Sequence, residues 1–586
     1  MLIDNKPMKK FYAVLILSVL LACVPKTLNK PVEPHLTKAD PIAKNIDSQD
    51  LRIKYANMLQ AMREELQRGM SLNLPGYPKP YFVSYLTKNT ENISVSASNG
   101  AIFWDNNIPQ RTIYAEVRVG DYNFDSSVSK GEVINFPQNE FVNFFAPLDD
   151  SLYAMRRKLW LLTDLEYKEA VAAYLNKKAN RVYKIEKDEV PSFSREKPAV
   201  FSGRAAELNI NPAFLREKSR QLSSFFNKYN EIIESEVRLD FRKKASLYIN
   251  SEGALILTEN AVLTIYINAE TKAKDGMPLS NFRVYSIADI KNLPSDEQLY
   301  KDMEGLINEI LALREAKEME PYTGPTILSA EVAGVFFHEV LGHRLEGERQ
   351  DDEQEGMTFS KKVGTRILPE FFTVIDDPTL VESGGITLTG FYEYDDEGVK
   401  SLPVTLVEQG VLKNFLMSRT PTKGFLNSNG HGRAESIQKP MGRMGNFIIR
   451  STNEKTMNEL TDMLIEECKK QNKPYGFIIE RARSGETNTS RFGFQAFKGV
   501  PLLVYKIFTE DRHKELVRGV DIVGTPLTVL NKIVATGSDY TTFNGYCGAE
   551  SGFIPVSVIS PEILVKEIEL QRTSAQKSRL PILPPP

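Results

Sequence analysis

The chain has 586 residues, too many for a single hydrophobic core, so two or more domains are expected. Its 73 Lys and Arg against 76 Asp and Glu leave a formal charge of −3, which excludes the basic surplus of a nucleic-acid binder. With 41% hydrophobic and 25% charged residues, the composition is that of a folded globular protein.

The first residues read as a targeting segment. Met8-Lys9-Lys10 is a short basic region, and Phe11 to Ala22 is apolar but too short for a comfortable membrane span. Residues 1–22 are therefore expected to be a signal peptide. Cys23 directly follows Leu20-Leu21-Ala22, as in a bacterial lipobox, which predicts lipidation at Cys23 and a membrane anchor. Val24, rather than Asp, follows the cysteine, as in lipoproteins sorted to the outer membrane and facing the periplasm. Residues 23–47 scatter Pro, Lys and Asp without periodicity, as a tether does.

Residues 48–320 read as an α+β domain. An amphipathic helix is predicted from Asp50 to Gly69, followed by strands Tyr81–Leu86, Ile93–Ala97, Ala101–Trp104 and Thr112–Val119, with Asn99-Gly100 as a hairpin turn. Asp149 or Asp150 caps a helix to about Lys178, and a second helix runs from Pro212 to Ile232. Val237–Phe241, Ser246–Asn250, Ala254–Thr258 and Val262–Ala269 form an antiparallel meander that turns at Ser251-Glu252-Gly253, and helix Glu297–Glu318 closes the domain near Glu320.

Thr326 to Glu348, TILSAEVAGVFFHEVLGHRLEGE, is the chemically dense stretch. Ser329 is placed to cap a helix that runs into His338, Glu339 and His343, two of the five histidines in the chain. The histidines are five residues apart, roughly 140° around an ideal helix. They can share a metal only if the helix is distorted between them, and Gly342 would allow that. Farther on, strands are predicted at Phe371–Ile375, Val404–Val407, Asn446–Arg450, Gly476–Glu480 and Leu502–Phe508, interrupted by helix Met457–Lys470. Cys468 falls on the apolar face of that helix. Cys547 sits between glycines in NGYCGAESG and reads as a turn residue, either disulfide-bonded to Cys468 or a metal thiolate. Residues 571–586 end in LPILPPP, a Pro-rich tail. Segregated strand and helix runs make the class α+β with antiparallel sheets.

HEVLGHRLEGE resembles the signature of the TldD/PmbA family of metallopeptidases, whose active members carry HExxxH followed by Leu-Glu-Gly. Val374-Ile375-Asp376-Asp377, Tyr394-Asp395-Asp396-Glu397-Gly398, Glu408-Gln409-Gly410-Val411-Leu412, Val517-Arg518-Gly519 and Gly545-Tyr546-Cys547-Gly548 follow in the family's order. Arg111 to Asp125 resembles the N-terminal half of a longer branch. The resemblance implies a two-domain fold with a mostly antiparallel C-terminal metallopeptidase domain over about 321–570. It implies Zn2+ held by His338, His343 and Cys547, a donor set that suits zinc better than magnesium or calcium. Glu339 is then the general base, with Glu346 and Glu348 as candidates to orient an imidazole. Arg433, in the loop His431 to Ser436, is read either as a holder of a substrate carboxylate or oxyanion or as a surface residue. The implied substrate is an unfolded or flexible peptide, and the implied assembly is a homodimer or a heterodimer with a paralogue. A catalytically silent, peptide-binding or partner subunit of the same fold is the alternative; retention of HExxxH and Cys547 favours the peptidase.

Overall fold

Two β-sheets organise the protein, each grown from long runs of alternating apolar residues. The computed structural model describes residues 50–127, 144–181, 190–351, 355–490, 497–574 and 576–583. The expected signal peptide, Cys23 and the tether lie outside the described residues. Residues 48–586 form one compact unit.

The first sheet has six strands. Four antiparallel strands, β1 (Pro80–Ser98), β2 (Ala101–Val119), β3 (Glu234–Asn250) and β4 (Leu255–Lys272), lie in the order β2-β1-β3-β4. β5 (Pro278–Ile287) and the short strand Val200–Ser202 both pair with β4. The short runs predicted from sequence are joined: Tyr81–Leu86 and Ile93–Ala97 belong to one strand. The polar residues between them stay in the sheet because their side chains are satisfied elsewhere. Lys88, only 2% exposed, donates to the Ala434 carbonyl at 2.7 Å and pairs with Asp396 at 2.8 Å. Asn99 and Gly100 both have positive φ, 52° and 83°, as the two-residue hairpin turn requires.

One face of this sheet is covered by helices. Val83, Tyr85, Leu247, Ile249 and Leu257 pack with Met58, Met62, Leu159 and Leu162 of α1 (Ala56–Met70) and α2 (Leu152–Arg181). At the other end Val95, Leu239 and Ile265 meet Leu215, Met303 and Leu306 of α3 (Pro212–Ser223) and α4 (Asp296–Glu315). The helix expected to reach Ile232 leaves the α form at Ser223 and continues as a 3-10 turn, Ser224–Lys228. On the opposite face Leu86, Tyr248 and Ile256 pack with Tyr394 of the C-terminal half.

The second sheet has thirteen strands. Those that matter here are β6 (Tyr322–Leu328), β7 (Phe372–Asp376), β8 (Val404–Glu408), β9 (Asn446–Ser451), β10 (Tyr475–Thr487), β11 (Phe497–Phe508), β12 (Ile533–Ala549) and β13 (Gly552–Arg572). They lie in the order β8-β7-β9-β13-β6-β10-β11, with β12 also on β13. Most neighbours are antiparallel, while β9/β13 and β6/β10 are parallel. Period-two alternation puts Leu328, Ile479 and Ile563 on one face and Ile327, Ile478 and Leu564 on the other. The first face carries α5 (Ala330–Val340); the second carries α6 (Met457–Lys470), with Leu460, Leu464 and the buried Cys468 turned inward. α5 is apolar around most of its circumference because it is covered both by this sheet and by the loops between β7 and β9.

Four of the predicted C-terminal strands start within a residue of their expected positions, the fifth, expected from Leu502, starts five residues earlier at Phe497, and helix Met457–Lys470 appears with the same ends. The β12–β13 hairpin was not predicted as such. It changes the setting of Cys547, which stands in β12 opposite Ile554 and not in a turn.

Candidate metal centre

Three elements converge at the C-terminal end of α5. Ser329 caps the helix, its Oγ accepting from the Val332 N–H at 3.3 Å and donating to the Glu480 carbonyl at 2.8 Å. The helix ends at Val340, and Gly342–Leu345 continue as a 3-10 turn. That break swings His343 toward His338: the ring centroids are 5.0 Å apart and the planes nearly perpendicular at 88°. Gly342 is needed here for a reason other than backbone freedom. It is not among the residues with positive φ, but a Cβ on it would collide with the Met444 sulfur. Arg344 closes the helix end by donating to the Glu339 carbonyl at 2.9 Å and the Val340 carbonyl at 3.3 Å.

The third element is β12. Cys547 is 1% exposed, and its sulfur lies 3.4 Å from His343 Nε2. One ligand atom from each of His338, His343 and Cys547 falls within 4.8 Å of the others. Among the described residues Cys468 and Cys547 are free, so they are not bridged to each other. Burial by itself would raise the Cys547 thiol, but His343 and then His338 pull it well below its ordinary range. Burial would lower His343, yet Cys547 and Glu346 hold it well above the usual imidazole range.

The residues fit a metal. Zinc bonds of about 2.0–2.3 Å in a tetrahedron place donor atoms roughly 3.4–3.6 Å apart, close to the Cys547–His343 separation. Buried His338 Nδ1 has no hydrogen-bond partner among the described residues, as expected of an atom reserved for a ligand. Two imidazoles and a thiolate are donors suited to zinc. Glu339, next to His338, is half-buried and packs its stem against Gly485 of β10, where an added Cβ would sit 2.7 Å from Glu339 Cγ.

Glu346 and Glu348 part company. Glu346 is fully buried: its Oε1 lies 3.1 Å from His343 Nδ1, and its Oε2 accepts from Arg349 Nε at 2.6 Å. Burial opposes its charge, but Arg349, His343 and Arg443 together hold the carboxyl well below the usual range. Glu348 takes other partners, accepting from Ser418 and from the Gly442 N–H at 2.9 Å. Arg433 is not a surface residue. It is 7% exposed, donates to the Met444 carbonyl at 2.6 Å and lies over the Tyr392 ring at 4.6 Å. It contacts neither the three donors nor Glu346. Of the other histidines, His431 is buried against Asp376 at 3.2 Å, His513 is exposed, and His35 lies outside the described residues.

Two arginines that the sequence did not single out do more here than Arg433. Arg349 pairs with Glu346, Glu355 and Glu550. Arg443 pairs with Glu346 and donates to the Cys547 carbonyl. Arg443 lies between glycines in PMGRMGN, a stretch that the sequence groups with the His431 to Ser436 loop and that the family resemblance places near the cleft.

Residues 321–572 match the PmbA/TldA metallopeptidase C-terminal domain. A protein named "Metalloprotease" from Archaeoglobus fulgidus is 33% identical over 276 residues, 46% of this chain and 57% of that protein. A "Zinc metalloprotease TldD homolog" from Saccharolobus solfataricus is 28% identical, also over 276 residues, 45% of this chain and 57% of that protein. The chain thus spans little more than half the length of these relatives. The crystal structure of TldE from Thermococcus kodakarensis aligns with TM-score 0.56 at 15% identity, over 87% of this chain and 100% of that one, a likeness of fold. Over residues 321–572 the chain is thus similar to the PmbA/TldD family in sequence, and over most of its length to TldE in fold.

Proposed function

We propose, on the premise of that family likeness, that this protein is a zinc-dependent peptidase acting on unfolded or flexible peptides. The observation that carries the reading is the convergence of buried His338, His343 and Cys547 within 4.8 Å of one another, beside a carboxylate that is not itself part of the cluster. When bound, zinc supplies a Lewis acid that polarises a carbonyl and makes water acidic near neutral pH. The chain's own residues do the rest. His338, His343 and Cys547 hold the ion, and Glu346 fixes the His343 ring through Nδ1 so that Nε2 faces Cys547. Glu339 is the general base that takes the proton from the attacking water and passes it to the leaving amine. A peptide held in extended form by backbone hydrogen bonds can vary in sequence, whereas a folded domain cannot enter.

Zinc content and peptide turnover, measured side by side, test this. Glu339→Gln should keep about one zinc per chain and lose about 10²–10⁴-fold in turnover, the usual weight of a positioned acid–base group. His338→Ala should lose zinc and activity together. A Glu339→Gln protein that cleaves at the wild-type rate removes Glu339 from the mechanism. Placement of the enzyme on the periplasmic face of the outer membrane by a lipid on Cys23 belongs to the same proposal. Cys23→Ser should release it from membrane fractions. Assembly as a dimer, with itself or with a paralogue, is the remaining part. Light scattering that shows a fully active monomer at micromolar concentration would remove it.

A further inference from the structure

The metal trio is assembled from two separate pieces of chain, and among the described residues two buried arginines span them: Arg349 joins Glu346 to Glu550, and Arg443 joins Glu346 to the Cys547 backbone itself. His338 and His343 belong to α5 and the turn after it; Cys547 belongs to β12, about two hundred residues later. Arg443, which precedes β9, is completely buried. Its Nε lies 3.3 Å from Glu346 Oε1, an ion pair without the alignment of a hydrogen bond. Its Nη2 donates to the Cys547 carbonyl at 2.7 Å, and its Nη1 to Ser551 Oγ at 2.6 Å and to the Gly552 carbonyl at 3.2 Å. One edge of the guanidinium therefore faces the carboxylate that holds His343. Its two amino ends grip the backbone of the third ligand and the turn of its hairpin.

We infer that Arg443 is a positioning residue that sets the spacing of the Cys547 thiolate from His343, and so the affinity and geometry of the metal site. The inference rests on the metal reading above. The planar fork suits the task as a lysine would not, because one rigid group addresses acceptors on both sides at fixed angles. Glu346 makes the connection two-way. Its Oε1 faces Arg443 Nε at 3.3 Å while its Oε2 accepts from Arg349 Nε at 2.6 Å, so each oxygen has a guanidinium beside it. A water or a shorter side chain in that space would satisfy the Cys547 carbonyl without tying it to Glu346.

The test is zinc affinity by competition with a chromophoric chelator, and the absorption spectrum of the cobalt-substituted full chain, for wild type, Arg443→Met, Arg443→Lys, Glu346→Gln and the Arg443→Met/Glu346→Gln double variant. Arg443→Met should weaken zinc binding by about 10–100-fold, the usual effect of losing an outer partner of a ligand. It should also shift the thiolate-to-cobalt charge-transfer band. Arg443→Lys, which keeps the charge and loses the fork, should fold and show an intermediate shift; it carries the test if the Met variant does not fold. The double variant should be little worse than either single one, because both act through one connection. A wild-type chain that binds no zinc, or binds it equally after His338→Ala, overturns the metal centre and this inference with it. A wild type that binds zinc through His338 while both Arg443 variants keep its affinity and spectrum overturns this inference alone.

Discussion

The metal centre and the interface between the two sheets are both buried and ionic, yet they resolve the cost of burying charge in opposite ways. At the metal centre one carboxylate, Glu346, meets Arg349, Arg443 and His343, and stays ionised well below its usual range. At the interface, Asp395 and Glu397 crowd together. Burial raises both, Asp395 raises Glu397 further and Asp396 raises Asp395, and the backbone N–H groups from which Asp395 accepts offset only part of the effect. Cations gathered round one carboxylate keep it charged; carboxyls gathered beside one another make a pair that holds a proton. Arg419, 1% exposed, is the interface's main cation. It donates to both oxygens of Glu252 at 2.7 and 2.9 Å and to the Ser194 carbonyl at 2.6 Å, so it ties the N-terminal half to the C-terminal one.

If the comparison holds, the interface serves stability and leaves the metal alone. Arg419→Met should then give the largest loss of stability, about 3–5 kcal/mol, because it removes the cation that faces Glu252, leaving that carboxylate only Tyr122 and Asn250, and the donor to the Ser194 carbonyl. Urea unfolding measures it. Zinc content of the folded fraction should match wild type, and a variant that also loses zinc would break the separation.

Gly342→Ala sharpens the other side. Its Cβ has no room against the Met444 sulfur, and overpacking of this kind costs about 1–3 kcal/mol. The strain falls between the two histidines, so zinc affinity should fall along with stability, and Met444→Ala should restore part of both. Unchanged zinc affinity in Gly342→Ala would mean that the 3-10 turn holds His343 whatever its packing.

What the sequence disclosed follows the same division. The Ser329 cap, the HExxxH spacing, the need for a break before His343 and the ends of α6 are local, written in residues a few positions apart. The resemblance supplied Cys547, which spacing could not. The strand around Cys547 was hidden because its glycines looked like turn formers. In the structure Gly545 and Gly548 make room for aromatic rings: an added Cβ would come within 2.7 Å of Phe543 and of Phe553. Arg443, Arg349 and the partners of Asp395 and Glu397 come from distant segments, and no short window of sequence contains the geometry that gives them their work. Arg433, read as a holder of a substrate carboxylate or oxyanion or as a surface residue, is buried over Tyr392, and His431 in the same loop faces Asp376.

The smallest effect separates the two regions by the sign of their pH dependence. Glu346 has a depressed folded pKa, so its contribution is present above the ordinary carboxylate range and is lost only as pH falls through the depressed value. Between pH 5 and 8 it contributes no slope. Asp395 and Glu397 have raised folded pKa values, so the folded state holds protons that the unfolded chain has released. Their contribution is complete below about pH 4 and is lost as pH rises through the raised values, at no more than about 1.4 kcal/mol per pH unit for one proton. Glu397→Gln fixes the pair in its protonated form. The amide oxygen can still accept from the Arg419 N–H, which Glu397 Oε2 does at 2.6 Å, and no charge remains to face Asp395. The variant should lose less stability than wild type between pH 5 and 8, with zinc binding unchanged across that range. Unfolding midpoints at pH 5, 6, 7 and 8 decide it, since other buried groups such as Glu166 and Glu331, raised to about 8 and about 7, titrate alike in both proteins and cancel in the difference. Parallel curves would show that Asp395 and Glu397 do not hold a proton that matters to stability, and the contrast with Glu346 would fail.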